Sequence, residues 1–315
     1  MALLTPRMKP WRRSEFDATE RSLLSPLEMR RPLNRAVYWG VFLILLLLTL
    51  STLFPLFWLF SGALKTPKEF FKVPPTLFPS TFYWTSYVKA WEEINFPRAF
   101  FNTMVIAFGG WLTQMAATCM AAFSLSKLRP FGSRVIMYLL YSTMLVPGAT
   151  LLIPRYLSVV EMPIFHISLM NNYLGLWLPG APNAFGIFIL KTFFDNTIPS
   201  DLTDAARIDG ASATQMFLRI VLPLSKAAIV VLTIGVVMGA WQEFLWPMLV
   251  LQQRQDLWPI MTRIGAFAAS GNKYGSVPMN VVIAANAIAA IPPLILFLFF
   301  QKQIIRGVNL TGLQG

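Results

Sequence analysis

This chain has almost none of the side chains that soluble enzymes use. It holds one cysteine (Cys119) and one histidine (His166) in 315 residues. A single cysteine excludes an intrachain disulfide, and one Cys with one His excludes a Cys/His zinc site. No nucleophile–His–acid set is credible either. His166 follows Phe165 and reads as an interfacial residue near the outer surface. Charge is scarce: Asp, Glu, Lys and Arg make up 13%, against about a quarter in soluble domains. The pattern G-x4-G-K-[ST] is absent, and not even a Gly-Lys pair occurs. A phosphate cradle of the P-loop kind is excluded. The chain is therefore expected to bind no cofactor, to hold no metal and to catalyse nothing itself. No internal repeat is visible, which argues against a secondary transporter built from inverted halves.

What is present is apolar. Hydrophobic residues make up 56% of the chain, and the mean hydropathy is +0.57. The windows 36–64, 99–126, 135–154, 162–190 and 274–301 contain no Asp, Glu, Lys or Arg. A sixth, 227–253, is broken only by Glu243. Each is long enough to cross hydrocarbon as a helix, which takes about 20 residues. Backbone amides must be satisfied internally there, so helices are the workable structure. The expected fold class is all-α: a polytopic membrane protein with six transmembrane helices.

The net charge of +12 could suggest nucleic acid, but its distribution does not. With the amino terminus inside, inner segments hold eight Lys/Arg in residues 1–35, three in 127–134, four in 191–226 and two after 301. Outer segments hold only nine. This bias places both termini in the cytoplasm. Residues 1–35, with Pro6, Pro10, Pro26 and Pro32, read as a tail held near anionic lipid by charge. They are too long for an ordinary cleaved signal, so residues 36–64 are expected to be an uncleaved anchor.

The expected helices run near 35–60, 98–126, 135–156, within 171–194, 227–253 and 281–301. An outer loop, 65–97, is rich in Pro and aromatics and long enough to cap something external. The turn 127–134 is basic and carries Pro130 and Gly132. Prolines 147, 154, 179, 182, 292 and 293 fall inside expected spans and should kink them. Gly235 and Gly239 stand at GxxxG spacing, which lets another backbone approach.

The segment 195–223 is different in kind. Four of the 14 acidic residues, Asp195, Asp201, Asp204 and Asp209, fall in it. Ser200 is an expected N-cap, with Asp201 and Asp204 in the positive first turn. Leu202, Ala205, Ala206 and Ile208 supply a face of low bulk. Gly210 suits the left-handed position that ends a helix. Ser212 and Gln215 form an S-x-x-Q capping box for a second helix, and Pro223 suits the first turn of the next. A connector needs only roughly two to eight residues. Two capped helices, with Met216 and Phe217 expected to be exposed, read as a docking device.

Here the sequence resembles a known family. The pattern E-A-A-x3-G-x9-I-x-L-P marks the membrane subunits of binding-protein-dependent ABC importers. This chain reads Asp204-Ala205-Ala206, then Gly210, then Ile220-Val221-Leu222-Pro223, with Asp for Glu at the first place. DAARIDGAS and WQEFLWPMLVL (241–251) are similar to the carbohydrate branch, near the maltose-type smaller permease subunit. The resemblance covers about nine tenths of the chain. It implies a type I importer permease fold in a prokaryotic inner membrane. It also implies partners: a second homologous permease, two ATP-binding subunits and an extracytoplasmic solute-binding protein, together with membrane lipid but no nucleic acid. Asp204, Ala205, Ala206, Asp209, Gly210, Ile220, Leu222 and Pro223 would form the loop gripped by an ATPase. In the tail, Gly307 and Gly315 match the family; its middle Gly falls at Gly312 and its penultimate Lys is Gln314.

Along a translocation path the candidates are Glu243, Trp241, Gln114 and Asn286. Glu243 is the sole acid within an expected span, where charge is costly unless it faces protein or water. Trp241 and Trp246 would stack on a sugar ring or sit in an interfacial aromatic belt. Gln114, Asn183 and Asn286 are path-lining groups or helix–helix glue. The resulting expectation is a permease subunit of an ATP-driven sugar importer. The alternatives are a permease for glycerol phosphate or a polyol, and a stand-alone secondary transporter.

Overall fold

The computed structural model describes residues 32–274 and 278–312, with side chains for 32–270 and 278–303. Among these every regular element is helical. In chain order they are α1 (Pro32–Ala63), α2 (Pro67–Phe70), α3 (Thr85–Ile94), α4 (Phe96–Phe123), α5 (Ser133–Leu145), α6 (Leu152–Val160), α7 (Leu174–Trp177) and α8 (Ala184–Thr197). There follow α9 (Ser200–Ile208), α10 (Ala213–Met216), α11 (Leu222–Leu224), α12 (Lys226–Gln242), α13 (Leu245–Val250), α14 (Ile260–Tyr274) and α15 (Met279–Gly312). The chain divides into a unit ending at Trp58 and a unit Leu59–Gly315. Residues 1–31 of the basic tail, and Gln314 and Gly315 of the carboxyl end, lie outside the described residues.

Three helical stretches are long and apolar enough to cross a membrane: Pro32–Ala63, Phe96–Leu128 and Met279–Gln303. A fourth is a pair, Ala213–Leu224 and Lys226–Gln242, bent by 80°. The other expected spans are broken rather than merely kinked. The expected helix 135–156 stops at Leu145, before Pro147, and restarts at Leu152 with Pro154 in its first turn. The expected helix within 171–194 is cut between Trp177 and Ala184, where Pro179 and Pro182 fall. The expected helix 227–253 ends at Gln242 and resumes at Leu245. A proline stands at each restart: Pro154 in α6, Pro182 just before α8 and Pro247 in α13. Proline lacks an amide and its ring strikes the carbonyl four residues back, but neither defect matters in a first turn.

Proline does not break α15. Pro293 cannot donate to the carbonyl of Ala289, its helical partner. The indole Nε1 of Trp241 donates to that carbonyl instead, at 3.1 Å. Helix α15 therefore continues through Pro292 and Pro293.

Helix α4 is the spine of the larger unit. At its start Phe96 and Ala99 join Ile94, Ile260 and the alanines 284, 285 and 287 of α15. Midway, Ile106 joins Val159, Leu176 and Val250. At its end Cys119, Ala122 and Phe123 meet Leu190 and Phe194 of α8. Gly109 permits one crossing: a Cβ there would lie 2.2 Å from the Trp177 ring.

The loop 65–97, expected to cap something external, is anchored to its own chain by hydrogen bonds. Asn280 Nδ2 donates to Ser86 Oγ (2.7 Å) and to the Lys65 carbonyl (3.2 Å). Glu69 accepts from Ser80 N (2.8 Å), Ser80 Oγ (2.9 Å) and Thr76 Oγ1 (3.2 Å). Lys65 Nζ donates to the Thr76 carbonyl. Burial pushes the Glu69 carboxyl up. The Ser80 and Thr76 hydrogen bonds and the Lys65 charge outweigh it and hold the group below its ordinary value.

Candidate functional site

The polar segment folds as a hairpin of short helices. Helix α9 starts at Ser200, one residue earlier than expected, and Ser200 makes no side-chain cap. Its hydroxyl donates to Asp201 Oδ1 at 3.4 Å, and Thr203 Oγ1 returns to the Ser200 carbonyl at 2.7 Å. The far end follows the sequence closely. Gly210 has φ +79°. Its amide donates to the Arg207 carbonyl (3.0 Å), and the Ala211 amide donates to the Ala206 carbonyl (2.9 Å). This pair is the Schellman closure, in which the left-handed residue satisfies the last carbonyls. The Ser212–Gln215 box forms in both directions: Gln215 N donates to Ser212 Oγ (3.2 Å), and Ser212 N donates to Gln215 Oε1 (2.9 Å).

Two expectations about its faces are corrected. Met216 and Phe217 are not displayed. Met216 is 1% exposed, and with Val221 it plugs into the Phe123–Leu190–Phe194 cluster, while the Phe217 ring lies tilted against Phe123 with centroids 5.2 Å apart. Ala206 is likewise buried, beside Thr203, so it belongs to the seat and not to the outer face. The helical period puts residues 202, 205 and 208 elsewhere on α9. Leu202 and Ala205 are exposed there, and Ile208 is 88% exposed. Asp201, Asp204 and Asp209 are also exposed. Asp204 pairs within the chain with Arg207 at 3.2 Å. Ile220 and Leu222 are half-buried and Pro223 is exposed.

A polar collar ties the hairpin to the ends of α4 and α8. Arg207 Nη2 donates to the Lys127 carbonyl (3.1 Å), and Lys127 Nζ donates to the Ile198 carbonyl (2.7 Å). Asp195 accepts from Ser126 Oγ (2.6 Å) and Lys191 Nζ (2.6 Å). The backbone at 124–128 is a π turn, which leaves irregular carbonyls there for such donors. Of this collar, the sequence reading singled out only Asp195, and then only as an acid in the segment. Its spacing from Lys191, four residues on a helix, was the available signal.

A second candidate is a cavity of about 480 Å3 between α4, α6, α8, α12 and α13. Gln114, Asn183, Glu243 and Trp246 line it. Gly235 and Gly239 line it too. Among the described residues no packed atom lies within 4 Å of a Cβ built at either glycine, so they do not show the expected close packing of a neighbouring backbone. They widen the wall instead. Trp241 and Asn286 lie outside this lining. Trp241 is 2% exposed and serves the Ala289 carbonyl, so it is neither a belt residue nor a cavity wall. Trp246 is buried rather than interfacial. Asn286 Nδ2 bonds back to the Val282 carbonyl at 2.8 Å. Asn183 caps α8, accepting from Gly186 N at 3.0 Å. Glu243 stands at the break between α12 and α13, not mid-helix, and accepts from Trp246 N at 3.2 Å.

Arg155 was missed. It shares the cavity with Glu243, and its guanidinium carbon sits 4.1 Å over the Trp246 ring. Its Nε is buried with no partner among the described residues. Arg155 is the sole Lys or Arg between 135 and 190, which was a readable signal. It was counted as an outer-loop charge because α6 was assumed to continue α5. His166, expected at the interface, is exposed, with Nδ1 2.7 Å from Glu161 Oε1. Among the residues described, no group of three or more His, Cys, Asp or Glu could hold a metal.

Known proteins resemble this chain along most of its length. Residues 114–310 match the family of binding-protein-dependent transport system inner membrane components. The sn-glycerol-3-phosphate transport system permease protein UgpE of Escherichia coli O1:K1 / APEC is 30% identical over 262 residues, covering 81% of this chain and 90% of that protein. Its namesake in Pectobacterium atrosepticum is 30% identical over 265 residues, covering 82% and 91%. Among solved structures, a chain of a bacterial ABC transporter involved in the import of the acidic polysaccharide alginate superimposes with a TM-score of 0.72 at 22% identity. That match covers 86% of this chain and 98% of the other. The family match spans the hairpin and Gln114, Arg155 and Glu243 of the cavity, and the chain belongs to the binding-protein-dependent transport system inner membrane component family.

Proposed function

We propose that this chain is the membrane-spanning permease subunit of an ATP-driven importer for a sugar. The observation that carries this reading is the hairpin 200–223. It is closed at its turn by the Gly210 bonds and the Ser212–Gln215 box, seated by Met216 and Val221, and turned so that Leu202, Ala205 and Ile208 face outward. Exposed apolar groups on a well-ordered polar element suit a protein partner. In this reading a separate nucleotide-binding subunit closes on the hairpin, with Asp204, Asp209 and Gly210 at the contact. The collar at Lys127, Ile198 and Arg207 passes the motion to α4 and α8. A second permease completes the pathway, and an extracytoplasmic binding protein delivers the solute. The broken helices count as single spans, which makes six, with both termini cytoplasmic. The Glu243 cavity is part of the path, Gln114 supplying hydrogen bonds and Trp177 an aromatic wall.

A second reading is a phosphorylated or acidic solute. Two observations favour it: glycerol phosphate in the names of the relatives, and the cation Arg155 in the cavity. Co-reconstitution of the chain with the subunits encoded beside it tests both. ATP-dependent uptake of labelled sugar, blocked by Gly210→Glu with membrane insertion intact, is expected. Uptake without ATP or without an ATPase subunit would reject the reading. Competition by glycerol phosphate but not by neutral sugars would select the second.

A further inference from the structure

A second groove, of about 420 Å3, lies where the turn after α4 meets α5 and α8. Its lining is basic and aromatic: Arg129, Arg134, Lys191, Tyr138 and Tyr141, with Ser133 at the helix start. No acid lines it among the described residues. Leu125 and Met137, each 6% exposed, form its apolar floor. Lys191 is held by Asp195, and Arg129 uses only Nε, on the Ser126 carbonyl. Arg134 and the hydroxyls of Ser133, Tyr138 and Tyr141 have no hydrogen-bond partner among the described residues. Several donors are thus gathered in one place, and those of Arg134, Ser133, Tyr138 and Tyr141 have no acceptor among the described residues. Beside them runs an apolar rail. Val135 and Leu139, four residues apart, share one side of α5, and Phe131 stands in the turn just before that helix; all three are well exposed.

We propose that this groove binds an anionic phospholipid. The phosphodiester lies on the guanidinium groups of Arg129 and Arg134, which suit a phosphate fork. The tyrosine hydroxyls take the glycerol and headgroup oxygens at the level where such rings favour the interface. The acyl chains follow Phe131, Val135 and Leu139. The rail decides between sources of the anion. A free phosphate has no use for exposed apolar surface next to the cations, and a lipid needs both. A basic pocket between helices on the cytoplasmic side is where anionic headgroups bind. The inference rests on the membrane orientation given above. It adds a lipid site at the root of the hairpin, since Lys191 and Arg129 also touch the collar.

Native mass spectrometry of the full-length chain in its assembled complex tests this. Phosphatidylglycerol, phosphatidylcholine and inorganic phosphate are titrated separately and in competition. Phosphatidylglycerol should be retained about tenfold better than phosphatidylcholine. Arg134→Gln should weaken it about fivefold and Arg129→Gln with Arg134→Gln about twentyfold, as expected for losing one and two interfacial cations. Arg134→Lys should recover part of the loss, and Lys68→Gln should change nothing. Equal retention of the two lipids, or an unchanged double variant, overturns the proposal. Displacement by millimolar phosphate overturns it in favour of a free-anion site, and crosslinking of Tyr138 to the second permease in favour of a protein contact. Uptake is measured in parallel. ATP-driven transport without lipid preference sinks this inference alone, whereas lipid preference without ATP-driven transport sinks the importer reading alone.

Discussion

Gly210 is held at a φ that side chains avoid. Any residue with a Cβ there costs about 1–2 kcal/mol, and Gly210→Glu adds a charge on the outer face of the hairpin. Uptake should fall by at least tenfold while membrane insertion is kept; uptake at the wild-type rate in proteoliposomes would count against the hairpin as the contact. Trp241 acts through one bond. Trp241→Phe leaves the Ala289 carbonyl without its donor in a place where Pro293 cannot replace it, so thermal stability in detergent should drop by about 1–3 kcal/mol. Glu243→Gln keeps the acceptor for Trp246 N but removes the charge facing Arg155. Reduced uptake with unchanged ATPase association is expected, and wild-type KM and kcat would place the group outside the path. Glu69 gives a pH dependence. Its folded value lies below the ordinary 4.5, so the stabilisation is complete above that value and lost as pH falls through the lower, folded one. The stability gap between wild type and Glu69→Gln should therefore be present at pH 7 and close in acid, as read from unfolding midpoints.

At the scale of elements, the hairpin's end structures were plain in the residues. Gly210, Ser212, Gln215 and Pro223 are local devices, each acting within a turn or two, so sequence spacing suffices to find them. The faces were not plain. Met216 and Ile208 are both apolar residues in a polar segment, yet one is buried and the other almost fully exposed. The choice depends on how the hairpin is seated against Phe123 and Phe194, which are distant in sequence. The collar was hidden for a similar reason: Arg207 bonds a carbonyl 80 residues away. Arg207→Gln should separate the two halves of the cycle. ATP hydrolysis should continue near wild-type rate while transport falls several-fold; equal loss of both would mean a folding defect rather than a slack joint.

For the whole molecule, the charge bias and the apolar windows imply an orientation that labelling can read. Cys119 is buried, so a Cys119→Ser background suits single-cysteine probes. Ile208→Cys should react with an impermeant maleimide only after the cytoplasmic side is opened, and Ile164→Cys, at a position 86% exposed in the loop after α6, should react in intact cells; the reverse pattern would overturn the topology. The all-helical class, the long spans Pro32–Ala63 and Met279–Gln303, and the short-helix hairpin at 200–223 could be read in advance. They follow from composition along a continuous stretch, and composition acts on each stretch separately. The continuity of the other spans could not, because prolines at 147 and 292 look alike in sequence. The first stands just past a helix end; the pair at 292 and 293 stands inside a helix because an indole from another helix replaces a missing amide. Nor could the sequence place Arg155 over Trp246, or free Gly235 and Gly239 from a neighbour. Those outcomes depend on which side chains from separate helices meet, and that is set by packing the whole bundle rather than by any one segment.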